Sequence, residues 1–295
     1  MRLLVLGASG MLGHAMFRVL QHCEHLEVYG TLRSVAAVRR FPQAMANRLL
    51  TGVEARDPDS VSRLFGEVRP DVVVNCIGLV KQRPQAADPL QALPVNGLLP
   101  HRLAQLCELC GARLIHISTD CVFSGARGCY SEQDVADARD LYGLSKYLGE
   151  VDAPHAVTLR TSIIGHEMRG GLGLIDWFLD QQDRCPGFRR AVFSGLPTIT
   201  LAQIVRDVII PHTDLRGLYH IAAEPIAKYD LLELVAEVYG KPIDIVPVDS
   251  PVVDRSLDAR KFAAATGYVV PPWPELIAAM HADFQETKKQ RHVQG

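Results

Sequence analysis

The feature that most constrains this chain is its first thirteen residues. An apolar run, Leu3-Leu4-Val5-Leu6, breaks into Gly7-Ala8-Ser9-Gly10-Met11-Leu12-Gly13 and then an apolar-periodic stretch to about Leu20. Strands buried on both faces read as continuous apolar runs, so residues 2–6 predict a central parallel strand. Glycines three apart between a strand and a helix permit a tight turn and bring backbone N–H groups close to a pyrophosphate. The helix N-terminus behind them adds partial positive charge. Residues Gly7, Ser9, Gly10, Met11, Leu12 and Gly13 are therefore read as the first contacts of a dinucleotide. The plainer alternative is a tight strand–helix turn without a ligand. Either way the chain is directed toward an α/β fold, a Rossmann-type doubly wound parallel sheet.

The following segments continue that pattern. A second strand near Leu26–Gly30 ends in Thr31-Leu32-Arg33-Ser34. Sites that prefer NAD carry an acid here for the ribose hydroxyls, whereas Arg33, with Arg39 and Arg40 beyond it, suits a 2′-phosphate. NADPH is the expected cofactor, with NADH as the alternative. A short strand near Leu49–Gly52 leads to Asp57, read either as an adenine contact or as the cap of a helix starting near Asp59. A fourth strand, Asp71–Asn75, runs into Cys76-Ile77-Gly78, small enough for a cofactor to lie flat across it. Lys81 and Gln82 then come within reach of a substrate. A helix from about Ala86 to Cys110 is interrupted by Pro94 and Pro100, with Asn96 between them as a polar residue that satisfies backbone. A fifth strand, Ala112–Ile117, ends in Ser118-Thr119-Asp120-Cys121. Parallel sheets bind ligands at such carboxyl ends, where the Thr119 hydroxyl can meet a carbonyl oxygen. Downstream, Tyr142 and Lys146 are four apart and share one helix face, which sets a phenol beside an ammonium.

Bulk properties exclude several classes. Lys plus Arg is 31 against 33 for Asp plus Glu, a net charge of −2, so neither nucleic acid nor an anionic membrane is an expected partner. No segment approaches the roughly 18 apolar residues of a membrane span. Seven scattered cysteines, an odd number, suggest no disulfide framework and a reduced, cytoplasmic setting. Cys107 and Cys110 form a C-x-x-C without the second pair that zinc needs, and His22-Cys23-Glu24-His25 reads as a polar helix end. No metal is expected.

Taken in order, these motifs resemble the extended short-chain dehydrogenase/reductase family, and within it dTDP-4-dehydrorhamnose reductase and its nucleotide-sugar relatives. The resemblance rests on Gly7, Gly10 and Gly13; Ser118 through Gly125; Tyr142 through Lys146; Leu159-Arg160-Thr161-Ser162; and Asp254-Arg255-Ser256-Leu257-Asp258 with Lys261-Phe262. It spans nearly the whole chain. It implies a catalytic set of Thr119, Tyr142 and Lys146. Tyr142 would protonate a ketone oxygen as hydride arrives, Lys146 would hold the cofactor ribose and depress the phenol's pKa, and Thr119 would complete an oxyanion-type cradle. Asp120, Cys121, Arg160 and Arg255, with Lys81, would meet the substrate.

Two departures are visible. Cys121 stands where the reductases often have Tyr, and where the related dehydratases carry the Glu that serves water elimination. The stretch around Arg255 departs from the family's Arg-Pro-x-x-Ser pattern. The second half is expected to supply a smaller substrate-binding lobe from residues 165–188 and 241–286, with Rossmann returns at about 189–240 and a polar tail at 287–295. Within it, residues 187–193 are expected to return as a strand and residues 201–210 as a helix. Arg189 and Arg190 join Arg255 as phosphate-binding candidates.

The resulting expectation is a cytoplasmic, NADPH-preferring reductase of the 4-keto group of a nucleotide-activated 6-deoxy sugar. Its partner would be a nucleotide-diphosphate sugar, and a homodimer is compatible with this reading. An epimerase or dehydratase of the same fold with tightly held NAD, and a non-catalytic NADP-binding regulatory subunit, are the alternatives.

Overall fold

The computed structural model describes residues 1–168 and 173–292, with side chains to Lys289. The stretch 169–172, inside the segment expected to help form the substrate lobe, and residues 293–295 of the expected polar tail lie outside the described residues.

Seven strands form one parallel sheet: β1 Arg2–Leu6, β2 Glu27–Leu32, β3 Leu49–Thr51, β4 Val72–Asn75, β5 Arg113–Thr119, β6 Ala156–Thr161 and β7 Gly217–His220. Their spatial order is β7-β6-β5-β4-β1-β2-β3, and every pairing is parallel. The chain therefore winds outward from β1 to β3, returns beside β1 as β4, and winds the other way. That reversal leaves a crevice at the carboxyl ends of β1 and β4, where such sheets bind ligands. This is the doubly wound Rossmann-type fold expected from the sequence.

Period-2 alternation divides the core. Leu3 and Val5 of β1 pack on one face with Phe17 and Leu20 of the Met11–Gln21 helix. Leu4 and Leu6 pack on the other with Leu64 and Phe65 of the Pro58–Val68 helix and Leu103 of the Leu99–Cys110 helix. Both faces are covered, which is why β1 reads as an unbroken apolar run.

Three differences from the sequence reading matter. β5 runs two residues past Ile117, so Ser118 and Thr119 are held in register against Arg160 and Thr161. The stretch expected as one interrupted helix is a 3₁₀ turn (Pro84–Ala87), a short helix (Pro89–Ala92), a wide π turn (Leu93–Leu98) and the Leu99–Cys110 helix. Proline lacks the N–H for the regular ladder, and the wider turn absorbs that loss at Pro94 and Pro100. The single strand expected at 187–193 is two strands, Arg184–Phe188 and Ala191–Phe193, broken at Arg189-Arg190.

Beyond the sheet, Arg184–Phe188 pairs with Asp244–Val248. Ala191–Phe193 pairs with Ile226–Ala227 and Val253–Asp254. The Thr198–Ile204 helix continues as a π turn, Val205–Ile209. The Lys228–Tyr239 helix ends at Gly240 in the left-handed conformation, as the glycine predicts. The last helix, Trp273–His292, runs through most of the residues expected as a polar tail.

Candidate active site

A cleft of about 390 Å³ lies at the topological reversal. One wall is the glycine turn. Gly7 has φ +80°, and a Cβ on Gly13 would lie 2.1 Å from the Gly7 carbonyl oxygen, so the Met11–Gln21 helix can sit directly on the turn only because residue 13 has no side chain. Thr31 at the end of β2, a residue not singled out in the sequence, locks the turn: the Gly7 N–H donates to its Oγ1 at 3.0 Å and the Ala8 N–H to its carbonyl at 3.0 Å. Gly10 caps the helix without a side-chain hydrogen bond, and its first turn carries no acid. Ser9, Gly10, Met11 and Leu12 border the cleft. Free first-turn amides with no competing carboxylate are a cradle for an anionic group. Gly7 and Gly13 stand behind the lining and shape it.

The other expected cofactor residues divide. Cys76 and Gly78, just past β4, border the cleft; burial pushes the Cys76 thiol up to about 12. Arg33 is exposed beyond β2 and does not border the cleft, whereas Arg40 does. The short 3₁₀ helix Val35–Arg40 carries the later arginine back to the site. Asp57 is the helix cap, accepting from the Asp59 N–H at 3.0 Å. Asp57 does not border the cleft.

The opposite wall brings together Thr119, Tyr142 and Lys146. The Leu141–Leu148 helix is capped by Asp140, which accepts from the Gly143 N–H at 3.0 Å. Two glycines let the helix approach. A Cβ on Gly143 would lie 2.3 Å from the Cys121 carbonyl oxygen, and one on Gly149 would lie 1.9 Å from that of Asn96. Tyr142 is half-buried. Its phenol is held well above its usual range by burial, and then by Cys121, Asp120 and Asp140; the Thr119 hydroxyl, within hydrogen-bonding reach, opposes the shift. The net direction is upward because burial dominates it. Lys146 Nζ donates to the Ile117 carbonyl at 2.8 Å, and burial lowers its pKa to about 8.

Asn96 ties the loop after β4 to the Tyr142 helix. Its Oδ1 accepts from the Leu79 N–H at 2.9 Å, and its Nδ2 donates to the Leu79 carbonyl and to Ser145 Oγ, each at 3.2 Å. The expected backbone role is correct, and it is also positional, because Leu79 belongs to the loop after β4 and Ser145 to the Tyr142 helix.

At the open end, Lys81 borders the cleft and pairs with Asp140 at 3.0 Å. Asp120 and Cys121 border it as well. Burial raises both, Cys121 to about 12, and Arg255 opposes each shift. Arg255 stands outside the lining and donates to the Phe123 and Ser124 carbonyls at 2.8 and 3.1 Å. Arg189 is paired with Asp249 at the surface. Lys228, which sequence reasoning passed over, is close enough to stabilise the Asp120 carboxylate.

Arg160 is the clearest correction. Expected at the substrate, it is 3% exposed. Nε and Nη2 grip both oxygens of Glu150 at 2.7 Å, Nη1 meets His220 Nε2 at 3.3 Å, and the guanidinium lies over Phe123. Its position in β6 turns it into the interior, where a bidentate carboxylate satisfies it.

Among the described residues no cluster of three or more His, Cys, Asp or Glu side chains could hold a metal. Among the same residues no helix is long and apolar enough to cross a membrane. Chemically, the cleft offers an anion cradle at one end and a protonated phenol beside a hydroxyl and a buried ammonium at the other.

Known proteins resemble this chain over most of its length. The family model described as RmlD substrate binding domain matches residues 1–286. A dTDP-4-keto-6-deoxy-D-glucose reductase of Streptomyces niveus is 33% identical, covering 84% of this chain and 83% of its own. The methionine adenosyltransferase 2 subunit beta of Mus musculus is 32% identical, covering 94% and 88%. The crystal structure of a dTDP-4-dehydrorhamnose reductase from Bacillus anthracis, in complex with NADP, shares the fold with a TM-score of 0.77 at 19% identity, over 96% of this chain and 98% of that one.

Proposed function

The chain belongs to the RmlD substrate binding domain family, and from that premise we propose that it is an NADPH-preferring reductase of the 4-keto group of a nucleotide-activated 6-deoxy sugar. The observation that carries this reading is the meeting of Thr119, Tyr142 and Lys146 on one wall of a cleft whose other wall is the glycine turn. The name of the Streptomyces niveus relative supports the substrate class.

The residues present fit a dinucleotide: the uncapped first-turn amides near Gly10–Leu12 suit the pyrophosphate, and Arg40 on the cleft suits a 2′-phosphate. When bound, NADPH supplies the hydride that the carbonyl carbon accepts. Tyr142 gives its proton to the carbonyl oxygen. Its raised pKa keeps the phenol protonated at neutral pH, the form a general acid requires. Thr119 donates to the same oxygen, and the Lys146 ammonium stabilises the phenolate left behind, each unit of that stabilisation being worth about 1.4 kcal/mol. Cys121, pushed up to about 12, has no acid–base role in the neutral range, which favours reduction over water elimination. The paired strands Arg184–Phe188 and Asp244–Val248 would build the substrate lobe. Arg255 and Lys228 would present positive charge to a diphosphate.

Tyr142→Phe tests the mechanism. Turnover of a dTDP-4-keto-6-deoxy sugar should fall by about 10²- to 10⁴-fold, with NADPH affinity nearly unchanged; undiminished turnover would refute the role. The identity to the mouse beta subunit favours a second reading, a dinucleotide-binding subunit without turnover. Wild-type protein that binds NADPH yet reduces no member of a keto-sugar panel would select it.

A further inference from the structure

Consecutive residues at the end of β5 hold two side chains of opposite charge. The Ile117 carbonyl accepts from Lys146 Nζ at 2.8 Å, and the Ser118 hydroxyl donates to Glu150 Oε1 at 2.7 Å. Glu150 follows Lys146 by four residues, one helical turn, just past the end of the Leu141–Leu148 helix. Arg160, in register with Ser118 on the neighbouring strand, donates Nε to Oε1 and Nη2 to Oε2, each at 2.7 Å. The backbone is fixed as well. The Glu150 N–H donates to the Tyr147 carbonyl, and Val151 exchanges two hydrogen bonds with the buried Thr158 hydroxyl of β6. Ser118 also borders the cleft, so this network runs from the core to the site.

Burial works against the Lys146 ammonium, and the Glu150 carboxylate opposes it. The negative end of the Arg160–Glu150 pair is therefore the end that acts on Lys146. The other groups around the network carry no negative charge at neutral pH. At the end of β4, burial pushes the Cys76 thiol up to about 12. On β5, burial takes the His116 ring well below its usual range. Tyr142, on the same helix as Lys146, stays a phenol. His101, exposed on the Leu99–Cys110 helix, meets the Leu148 carbonyl at 2.7 Å. His220, beyond Arg160, is brought down to about 4 by burial and is neutral.

We propose that Glu150 is a positioning residue for the reduction: fixed by Ser118 and Arg160, its carboxylate keeps the Lys146 ammonium charged beside Tyr142 at neutral pH. An opposite charge nearby favours the charged form of a group that burial would neutralise. The Arg160 fork serves this by holding the carboxylate ionised and in place, and the Ser118 hydroxyl ties it to the strand whose previous carbonyl holds Lys146. The effect on turnover rests on the reductase reading above; the effect on Lys146 does not.

The test follows Lys146 directly, by carbon NMR of the full chain labelled at lysine, its signal identified by its loss in Lys146→Met. The pH profile of kcat/KM for NADPH is measured alongside. Glu150→Gln should move both the Lys146 titration and the limb of that profile to lower pH. Relative to pH 6.5, kcat/KM at pH 8 should then fall about twofold below the wild-type ratio. Ser118→Ala disturbs the same network but leaves the charge, so its titration should stay near the wild-type value of about 8. Glu150→Leu combined with Arg160→Met replaces both buried charges by apolar groups, which avoids a lone guanidinium. That pair should shift the titration in the same direction as Glu150→Gln. The expected NMR shift in a chain that reduces no keto sugar would uphold the role of Glu150 and defeat the reductase reading. A titration unmoved or raised in the Glu150 variants, or an equal shift in Ser118→Ala, would overturn the proposal.

Discussion

Raising the pH isolates Lys146. Burial brings its ammonium from 10.5 down to about 8 in the folded chain, about 2.5 units or roughly 3 kcal/mol against the charged form. The group should be about nine-tenths charged at pH 7 and about one-tenth at pH 9, given a pKa near 8. If the ammonium stabilises the Tyr142 phenolate, kcat/KM for the dinucleotide, which reports the free enzyme, should fall about tenfold between those values with a limb near pH 8. The phenol cannot supply that limb, because its pKa is raised. Stability should move the other way. Between about pH 8 and 10.4 the unfolded chain holds a proton that the folded chain has released, so folding gains with pH. Measured as the difference between wild type and Lys146→Met, the gain should reach about 3 kcal/mol, because the opposite trend of the buried thiols cancels in the difference. Initial rates followed by NADPH absorbance and urea unfolding at matched pH provide both readouts. Lys146→Arg, whose guanidinium stays charged, should lose the limb in whatever activity it keeps. The same limb in that variant, or a stability difference between wild type and Lys146→Met that falls as pH rises, would refute the reasoning.

Further outcomes follow from the same structure. Arg160→Met leaves Glu150 buried without its partner and should cost about 3–5 kcal/mol in chemical denaturation, without a selective rise in the sugar KM. Gly143→Ala would force the Tyr142 helix off the Cys121 carbonyl and should reduce turnover by about a hundredfold, measurable beside a folded circular-dichroism spectrum. Arg40→Ala should lower the preference for NADPH over NADH more than Arg33→Ala does, as read from the two dissociation constants.

Local signals were strong enough to read much of this molecule in advance. An apolar run, a glycine turn and a helix depend on neighbours within a dozen residues, so β1, the turn and the Lys228–Tyr239 helix with its terminal Gly240 were legible. Thr119, Tyr142 and Lys146 were legible as types at suitable spacing. Charged side chains were not, because their roles depend on which partner arrives from elsewhere. Asp57 as a cap depended on the Asp59 amide standing within reach of its carboxylate. Arg33, nearest the end of the second strand, read as the phosphate contact, and only the fold shows that the 3₁₀ turn carries Arg40 to the cleft instead.

The sequence by itself fixed the α/β winding, the anion cradle and the presence of a phenol–ammonium pair, because backbone sterics and hydrophobic periodicity are local. Only the tertiary structure decided what those groups face. It took Arg160 into the core against Glu150, joined the loop after β4 to the Tyr142 helix through Asn96, and desolvated Tyr142 and Lys146 so that one pKa rose and the other fell. Desolvation and pairing belong to the packed molecule, and residues far apart in the chain set them.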